Sequence, residues 1–263
     1  MSSIFQFGHS LMKSGFSILI LASASLVASA ACAATAGVPA QPNVPNWNGV
    51  WEREGGILFD PAAGGRTPEK PPLTPAYQKR YDAILAMAAA GNPIADPGAL
   101  CLPAGMPRVM VMTYPMEVLQ TPGQVTLIAE WSSQTRRIFT DGRPHPADPD
   151  PTYQGHSIGH WEGDTLVIDT VGERPDTVFD STGLGHSDQM HITERMRLAA
   201  PDELEDQLTI ADPVAFTHPW VVTRKYKRAK KGFEIMEYIC EENNRNPVGA
   251  NGVTGFLAEG EKK

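Results

Sequence analysis

The chain has few cysteines and no excess of positive charge, and each shortage excludes a class of protein. Only three of the 263 residues are cysteine, and no C-x-x-C pair occurs, which excludes a dithiol redox site and a zinc site built on cysteines. Lysine and arginine number 22 against 30 acidic residues, for a net charge of -8. Nucleic-acid binding is therefore not expected, because the basic stretch at 224–231 alternates with apolar residues as the outer face of a strand does.

A long apolar run occurs only at the start of the sequence. Residues 14–36 follow Lys13, are apolar, and end in small residues with several A-x-A cleavage options. This pattern predicts a signal peptide over residues 1–36 that is removed on export, and a periplasmic or secreted protein without stable membrane insertion. The alternative is a transmembrane anchor, although the apolar core is short and broken by serines. Lipidation at Cys32 is a further alternative, although Ser29 stands where a lipobox has a large aliphatic residue.

The remaining sequence indicates one domain. We expect a Pro-rich lead-in at 37–46, a single domain at 47–245 and an irregular tail at 246–263, and we find no internal repeat. Two cysteines, Cys101 and Cys240, lie outside the leader. In an exported protein they predict one disulfide, and two buried free thiols are the alternative.

The periodicity predicts one helix followed by many strands. Thr74 can cap a helix over residues 74–91, with Pro75 at its first position and Gly91 at its end. Short alternating segments separated by turn residues predict an all-β, mainly antiparallel meander that closes as a barrel of about 8–10 strands. The ten predicted strands are residues 47–54, 116–121, 124–131, 134–140, 155–161, 165–171, 190–199, 203–212, 220–228 and 233–240.

Strand alternation also places charged side chains among the apolar ones that face inward. Glu194 shares a face with Ile192 and Met196, and Arg224 shares one with Trp220. The same reasoning places Glu237 beside Phe233 and Arg137 beside Phe139. Because buried charges are costly unless paired, these four residues form either a site for a polar ligand group or an ion network that closes one end of the barrel.

The segment Thr140–Thr170 is rich in histidine, aspartate and proline, and it has three interpretations. His156 and His160 lie too far apart on one strand to share an ion, but either could join His186, Asp188 or His191 in a metal site. One of these histidines, oriented by an aspartate, could act in acid–base chemistry. The Asp-Pro repeats could simply build rigid turns at a barrel mouth. Covalent acyl transfer is not expected, because the sequence has no G-x-S-x-G elbow.

The sequence thus predicts that a small, partly apolar molecule binds in a barrel whose mouth is formed by residues 141–156 and 180–191. In an enzyme without metal or cofactor, a histidine would be the base, an aspartate would orient it, and an arginine would hold an oxyanion or carboxylate. The reaction would be that of a lyase, isomerase, cyclase or hydrolase. The alternatives are a lipocalin-like ligand carrier and a structural factor with a filled core. The predicted catalytic residues are His156, His191, Asp148 and Asp188, and the predicted substrate-binding residues are Arg137, Arg143, Tyr153, His186, Glu194, Arg224 and Glu237.

The segment Asn48-Gly49-Val50-Trp51 resembles the G-x-W pattern of the lipocalin/calycin barrels. In those barrels an arginine from a late strand, here Arg224, packs across the tryptophan and closes one end. Several longer stretches, among them YPMEVLQTPGQVTLIAEW, RRIFTDGRPHPADPDPT and GHSIGHWEGDTLVIDT, are similar to a family of exported bacterial proteins. This resemblance covers most of residues 100–245 and implies a lipocalin-like barrel, but it brings no established activity. At His160 the chain departs from the Lys or Arg expected there.

Overall fold

The computed structural model describes residues 44–54, 70–242, 246–250, 252 and 254–256. All of them belong to one compact unit, residues 38–263. The predicted signal peptide and most of the lead-in lie outside the described residues, so they stay predictions. In the part of the chain that the structure describes, no helix is long and apolar enough to cross a membrane.

The described residues form one closed barrel, one long helix and one small separate strand pair. Going around the barrel, the strand order is β1-β10-β9-β8-β7-β6-β5-β4-β3, while β2 pairs with β11. The predicted barrel with one helix is therefore confirmed. The elements are β1 (Gly49–Glu54), α1 (Pro75–Ala89), β2 (Ile94–Ala95), β3 (Met116–Thr121), β4 (Gln124–Ala129), β5 (Gln134–Phe139), β6 (His156–Glu162), β7 (Thr165–Val171), β8 (His191–Ala200), β9 (Glu203–Ala211), β10 (Trp220–Arg228) and β11 (Gly255–Phe256).

One strand pair of the barrel is parallel, and it requires a long connection between its two strands. A ring of nine strands cannot alternate in direction all the way around, so one neighbouring pair must run the same way. This pair is β5 and β6, which touch through only two residue pairs, Ile138 with Ser157 and Phe139 with Ile158. Residues 140–155, hereafter the crossover loop, must therefore return the chain to its original direction and cannot form a tight hairpin.

The helix packs against the barrel at the end where the β9–β10 connection lies. Thr74 caps it as predicted, with its side chain accepting a hydrogen bond from the Tyr77 backbone N–H. Tyr77 and Tyr81 are buried on the predicted face and join the barrel core. The backbone N–H of Thr74 also donates to the carbonyl of Ala215, at 2.8 Å, which ties the start of α1 to the connection between β9 and β10.

The other end of the barrel is closed by Trp51, as the G-x-W pattern implies, but with a different arginine from the one expected. Trp51 is fully buried, and its indole N–H donates to the carbonyl of Trp47 at 2.8 Å. The residue opposite Trp51 on β10 is Arg228, whose guanidinium lies 4.2 Å from the centre of the indole ring. Arg224 points to the same side of β10 but lies two pleat repeats further along the strand, because it precedes Arg228 by four residues. The assignment of Arg224 to this role was wrong.

The predicted strand at 233–240 is also wrong, and so is the inward position of Glu237. Residues 233–239 have no regular structure, and Phe233, Met236 and Glu237 are exposed. The physical reason is closure of the barrel. Because β10 already pairs with both β9 and β1, a strand that follows β10 finds no free edge to join. The tail predicted to be irregular instead contributes β11.

The predicted disulfide is confirmed, and it tethers this irregular segment. Cys101 and Cys240 are bonded with their Cα atoms 5.4 Å apart, across 139 residues of sequence. Beside it, the Tyr238 ring packs on Trp131, with centroids 4.9 Å apart. The bond therefore holds residues 233–240 against the barrel without the help of strand pairing.

We expect the double substitution C101S/C240S to lower the free energy of unfolding by about 2–4 kcal/mol, because the unfolded chain regains the freedom of a long loop. Urea denaturation of the oxidised protein, the reduced protein and the double variant would measure this loss. The reduced protein and the variant should behave alike. A midpoint that does not differ between oxidised and reduced protein would show that the bond contributes nothing to stability.

Candidate functional site

Two of the predicted histidines meet on the outer surface of the barrel, in a cluster with two residues that the sequence did not single out. His145 Nδ1 lies 2.8 Å from His156 Nδ1, and His145 Nε2 lies 2.8 Å from Asp169 Oδ1. His191 Nε2 lies 2.9 Å from Asp169 Oδ2. These four residues, His145, His156, Asp169 and His191, are called the histidine cluster below. Asp169 is its centre, because each of its oxygens is bound to a different imidazole.

The strands position three members of the cluster, and the crossover loop supplies the fourth. Asp169 on β7 lies beside Ile158 on β6 and Thr193 on β8 in the register of the sheet. His156 begins β6 and His191 begins β8, each two positions from those neighbours, so alternation turns both outward with Asp169. His145 comes from the crossover loop, which the parallel pairing of β5 and β6 makes necessary.

The hydrogen bonds determine which nitrogens carry protons in the neutral cluster. An ionised carboxylate only accepts, so His145 Nε2 and His191 Nε2 must both be N–H groups that donate to Asp169. A neutral His145 then accepts at Nδ1, and His156 must donate from its own Nδ1. Two nitrogens are left with free lone pairs, His156 Nε2 and His191 Nδ1. The cluster therefore presents two imidazole bases whose tautomers are set by one aspartate.

The environment of His156 favours its neutral, proton-accepting form. Partial burial lowers the pKa of His156 below its usual value of 6.5, and the nearby charges of His145 and Arg143 lower it further. The His156 ring also lies against Phe139, with centroids 5.5 Å apart. A base that is already unprotonated at neutral pH is what proton abstraction requires.

An arginine stands next to this base. The Arg143 guanidinium lies over the Phe139 ring, 4.0 Å from its centre, and donates from Nε to Asp141 Oδ1 at 2.9 Å. The hydrogen bonds from Arg143 lower the pKa of Asp141, which stays ionised. Of the two arginines predicted to hold an anion, Arg143 is thus beside the cluster. Arg137 is exposed on the outer face of β5 and makes no hydrogen bond to the cluster.

The other predicted catalytic and binding residues lie apart from the cluster. Asp148 and Asp188 are exposed and make no hydrogen bond to a histidine in the described part of the chain. His186 is buried, with Thr177 Oγ1 2.7 Å from Nε2 and the Ser187 carbonyl 2.7 Å from Nδ1, and burial lowers its pKa. It is a structural histidine in a loop. Tyr153 packs under the Arg174 guanidinium, at 5.0 Å.

A second set of polar residues lies inside the barrel, where Glu194 and Arg224 were expected, and their inward placement is confirmed. The arginine from β5 that faces inward is Arg136 and not Arg137, which corrects the predicted face of this strand. Arg136 forms a two-pronged ion pair with Glu194, with Nη1 2.8 Å from Oε1. Its Nη2 also donates to Thr170 Oγ1 at 3.0 Å.

Two further acids are buried near this pair, and neither was predicted. Asp206 is fully buried, and Glu173 is 5% exposed. Asp206 lies close to the Glu194 carboxyl, and the Glu173 carboxyl has no hydrogen-bond partner on another described residue. Burial and the negative charge of Glu194 raise the pKa of Asp206 well above its usual value. Burial raises the pKa of Glu173 to about 8, so Glu173 holds a proton at neutral pH.

Six described side chains that point into the barrel are completely buried. They are Ile192, Met196, Leu204, Leu208, Glu194 and Asp206. A side chain of this kind has packed atoms on every side, so no ligand-sized space lies beside it. The candidate site is therefore the outer cluster at the predicted mouth and not the centre of the barrel.

The described residues contain no group of three or more His, Cys, Asp or Glu arranged to hold a metal ion. The histidine cluster illustrates why, because the two nitrogens of His145 point at different partners. One ion cannot replace both hydrogen bonds.

The sequence carries signals for the two cluster residues that were not predicted. His145 lies in the loop that holds the Asp-Pro repeats, and Asp169 lies on the face of β7 opposite to the inward Leu166, Ile168 and Thr170. Comparing outward faces of neighbouring strands would have found Asp169. No local signal shows that the carboxyl of Glu173, just beyond the end of β7, turns inward.

Comparisons with known proteins do not assign a family. No family model matches the chain, and no curated protein matches it, so the resemblance to exported bacterial proteins stays a prediction. Among solved structures, the chain is similar to the fluorescent protein UnaG, with 14% identity and a TM-score of 0.34, over 70% of this chain and 97% of UnaG. Two single-residue variants of UnaG match at 16% identity with the same TM-score. The closed, mainly antiparallel barrel itself follows from the strand pairing described above.

Proposed function

We propose that the histidine cluster is a general acid–base site that acts, without a cofactor, on a small and partly apolar molecule bound at the barrel mouth. The observation that carries the proposal is the double hydrogen bond to Asp169 from His145 and His191. It leaves two oriented imidazole bases in one hydrogen-bonded cluster, at His156 Nε2 and His191 Nδ1. The reaction classes that need only proton transfer are those of lyases, isomerases, cyclases and simple hydrolases.

The surroundings of the cluster suit a substrate that is part apolar and part anionic. The Phe139 ring and the half-buried Ile158 supply apolar contact beside His156. Arg143, held by Asp141, supplies a fixed positive charge next to the same ring. A carboxylate or a developing oxyanion could accept from this guanidinium while His156 removes a proton. In this proposal Asp169 replaces Asp148 and Asp188 as the orienting acid.

Replacing Asp169 with asparagine tests the proposal. The asparagine amide would present N–H to one imidazole where a carboxylate oxygen had accepted, so one histidine must change its tautomer. We expect kcat/KM to fall about 10²–10⁴-fold, measured on a panel of small esters, lactones and hydroxy acids. His160→Gln is the matched control, because His160 is exposed and contacts Glu162 outside the cluster. A wild-type protein that turns over none of these classes, or an unchanged rate in Asp169→Asn, would count against catalysis.

The second candidate function is that of a ligand carrier using the same surface. The apolar surface around Phe139 favours this function, because such a surface can bind a ligand without catalysing a reaction. Native mass spectrometry of the protein from its own host would separate the two functions. A retained small molecule whose binding is unaffected by Asp169→Asn would favour the carrier.

We also propose that the protein acts outside the cytoplasm. The disulfide between Cys101 and Cys240 supports this, because such bonds persist in oxidising compartments. The test is cell fractionation of the full chain beside a variant that lacks residues 2–36. Export of both, or of neither, would contradict a leader in this segment.

A further inference from the structure

The buried carboxyl of Glu173 lies directly under the end of the crossover loop. Glu173 follows β7 and forms an isolated bridge with Thr152. A Cβ atom placed on Gly155 would lie 3.3 Å from the Glu173 carboxyl carbon, so loop backbone packs against the acid itself. Residues 152–155, hereafter the lid, pack over this carboxyl. They lie in the crossover loop between His145 and His156, the first residue of β6.

Nothing under the lid can stabilise a negative charge on this acid adequately. Apart from its own backbone N–H, Glu173 has no hydrogen-bond partner among the residues that the structure describes. Three charged groups lie near it, Arg136 from β5, Glu194 from β8 and Asp169 on the outer face of β7. Arg136 is already engaged by Glu194, and the two acids repel a third negative charge. A carboxylate at this position must therefore gain water, and water can reach it only if the lid moves.

The lid can open without breaking the pairing of any barrel strand. Three backbone hydrogen bonds join it to its surroundings, from Thr152 to the Gly172 carbonyl at 3.0 Å, from Arg174 to the Thr152 carbonyl at 2.9 Å and from Met106 to the Tyr153 carbonyl at 2.8 Å. One side-chain hydrogen bond, from Gln154 Nε2 to Gln134 Oε1 at 2.6 Å, and the contact of Tyr153 with Arg174 complete its attachment. Local opening of segments with few contacts costs less than global unfolding.

We propose that the lid opens when Glu173 loses its proton, and that this opening separates His145 from His156. The separation of His145 from His156 rests on the proposed function in one respect, because both residues belong to the proposed acid–base site. The lid thus makes the histidine cluster sensitive to pH, with the cluster assembled while Glu173 is protonated and taken apart when it ionises. Burial, which raises the pKa of Glu173 to about 8, places the change near neutral to alkaline pH.

Amide hydrogen exchange of the full chain tests the lid, with Glu173→Gln as the variant because glutamine resembles the protonated acid in shape. The probes are the amides of Thr152, Arg174 and Met106, which all bond across the lid edge. Comparing variant and wild type at the same pH removes the intrinsic pH dependence of exchange. We expect the ratio of wild-type to variant opening constants to rise about tenfold per pH unit between pH 6 and 8 and to level off above pH 8.

Two comparisons decide whether the opening is local and charge-driven. The three probe amides should exchange at least tenfold faster than backbone amides in the middle of β9, and Glu234→Gln, at an exposed position, should behave as wild type. Equal pH dependence in wild type and Glu173→Gln would overturn the proposal. So would exchange of the probes together with β9, since this would mean unfolding rather than lid movement. If the variant does not fold, the pH dependence of exchange at the wild-type probe amides, compared with the amides of β9, still tests the proposal.

Proton NMR tests the link to the histidine cluster separately from any activity. In wild type, the nuclear Overhauser contact between the rings of His145 and His156 should be present at pH 6.5 and lost at pH 9, while Glu173→Gln should keep it at both. If the lid amides respond to pH but the ring contact stays, the link to the cluster is wrong. Because neither measurement uses a substrate, failure here leaves the Asp169→Asn test of function unaffected.

Discussion

Replacing Arg136 with methionine is expected to lower the free energy of unfolding at pH 7 by about 3–5 kcal/mol. Arg136 is 2% exposed and forms the ion pair with the fully buried Glu194. Methionine fills a similar volume but leaves the carboxylate in the barrel interior without its main counter-charge. It also removes the guanidinium that Ser157 and Thr170 hold by hydrogen bonds. Urea denaturation followed by circular dichroism would measure the loss.

Arg137→Met is the matched control for this prediction, since the same change is made one residue further along β5. Arg137 is exposed, so its replacement should change stability by less than about 0.5 kcal/mol. The double variant Arg136→Met/Glu194→Leu should be more stable than Arg136→Met, because no buried charge is left unpaired. Equal effects of the two arginine substitutions would show that the face assigned to β5 is wrong.

Replacing Glu173 with glutamine is expected to stabilise the protein at alkaline pH, by up to about 5 kcal/mol. The folded state holds the pKa of Glu173 at about 8, whereas an exposed glutamate has a value of 4.5. Between these values the unfolded chain releases a proton that the folded chain retains. The stabilising effect of this proton is therefore complete below pH 4.5, and it is lost as the pH rises to 8.

The difference in unfolding free energy between Glu173→Gln and wild type should thus grow by about 1.4 kcal/mol per pH unit over this range and stay constant above it. Urea denaturation at pH 4, 6, 8 and 9 measures it, with Glu234→Gln as control. Lid opening can cost less free energy than the pKa shift of Glu173 corresponds to. The difference in unfolding free energy then stops growing below pH 8, and its constant value equals the free energy of lid opening. A difference that is constant from pH 4 to 9 would mean that Glu173 is not buried as described.

The elements of the fold could be predicted because their signals are local. Alternation of apolar residues marks β7 and β8, and Thr74 with Pro75 marks the start of α1. Pro122 and Gly123 mark the turn between β3 and β4, where Gly123 has a φ of +77°, as a type II turn requires. Each of these signals lies within a few residues of the structure that it predicts.

The errors lie where the signal is not local. On β5, Ile138 and Phe139 are both apolar, and Arg136 and Arg137 are identical residues, so alternation supports either face equally. The ion pair with Glu194 on β8, three strands away, is what places Arg136 and not Arg137 on the inward face. The predicted strand at 233–240 failed for a similar reason, because its alternation is real but closure leaves no free edge for it.

The candidate site shows the same division. Histidine chemistry at the barrel mouth was predicted for His156 and His191, and their nearby acid was sought in the adjoining loops, at Asp148 and Asp188. The partner is Asp169, and the link from it to His156 is His145. From the sequence alone, a loop aspartate is as plausible a partner for a histidine as one on a strand. The order of strands in the sheet decides which aspartate a histidine can reach.

The sequence by itself determined the class of protein, the number and position of nearly all barrel strands, the helix and the two cysteines that pair. These follow from residue periodicity and turn chemistry, which act over short distances along the chain. Only the tertiary structure decided which arginine faces inward, which aspartate orients the histidines and which acid is buried under the lid. Those choices depend on contacts between strands far apart in sequence, and a side chain becomes paired, exposed or buried only when the barrel closes.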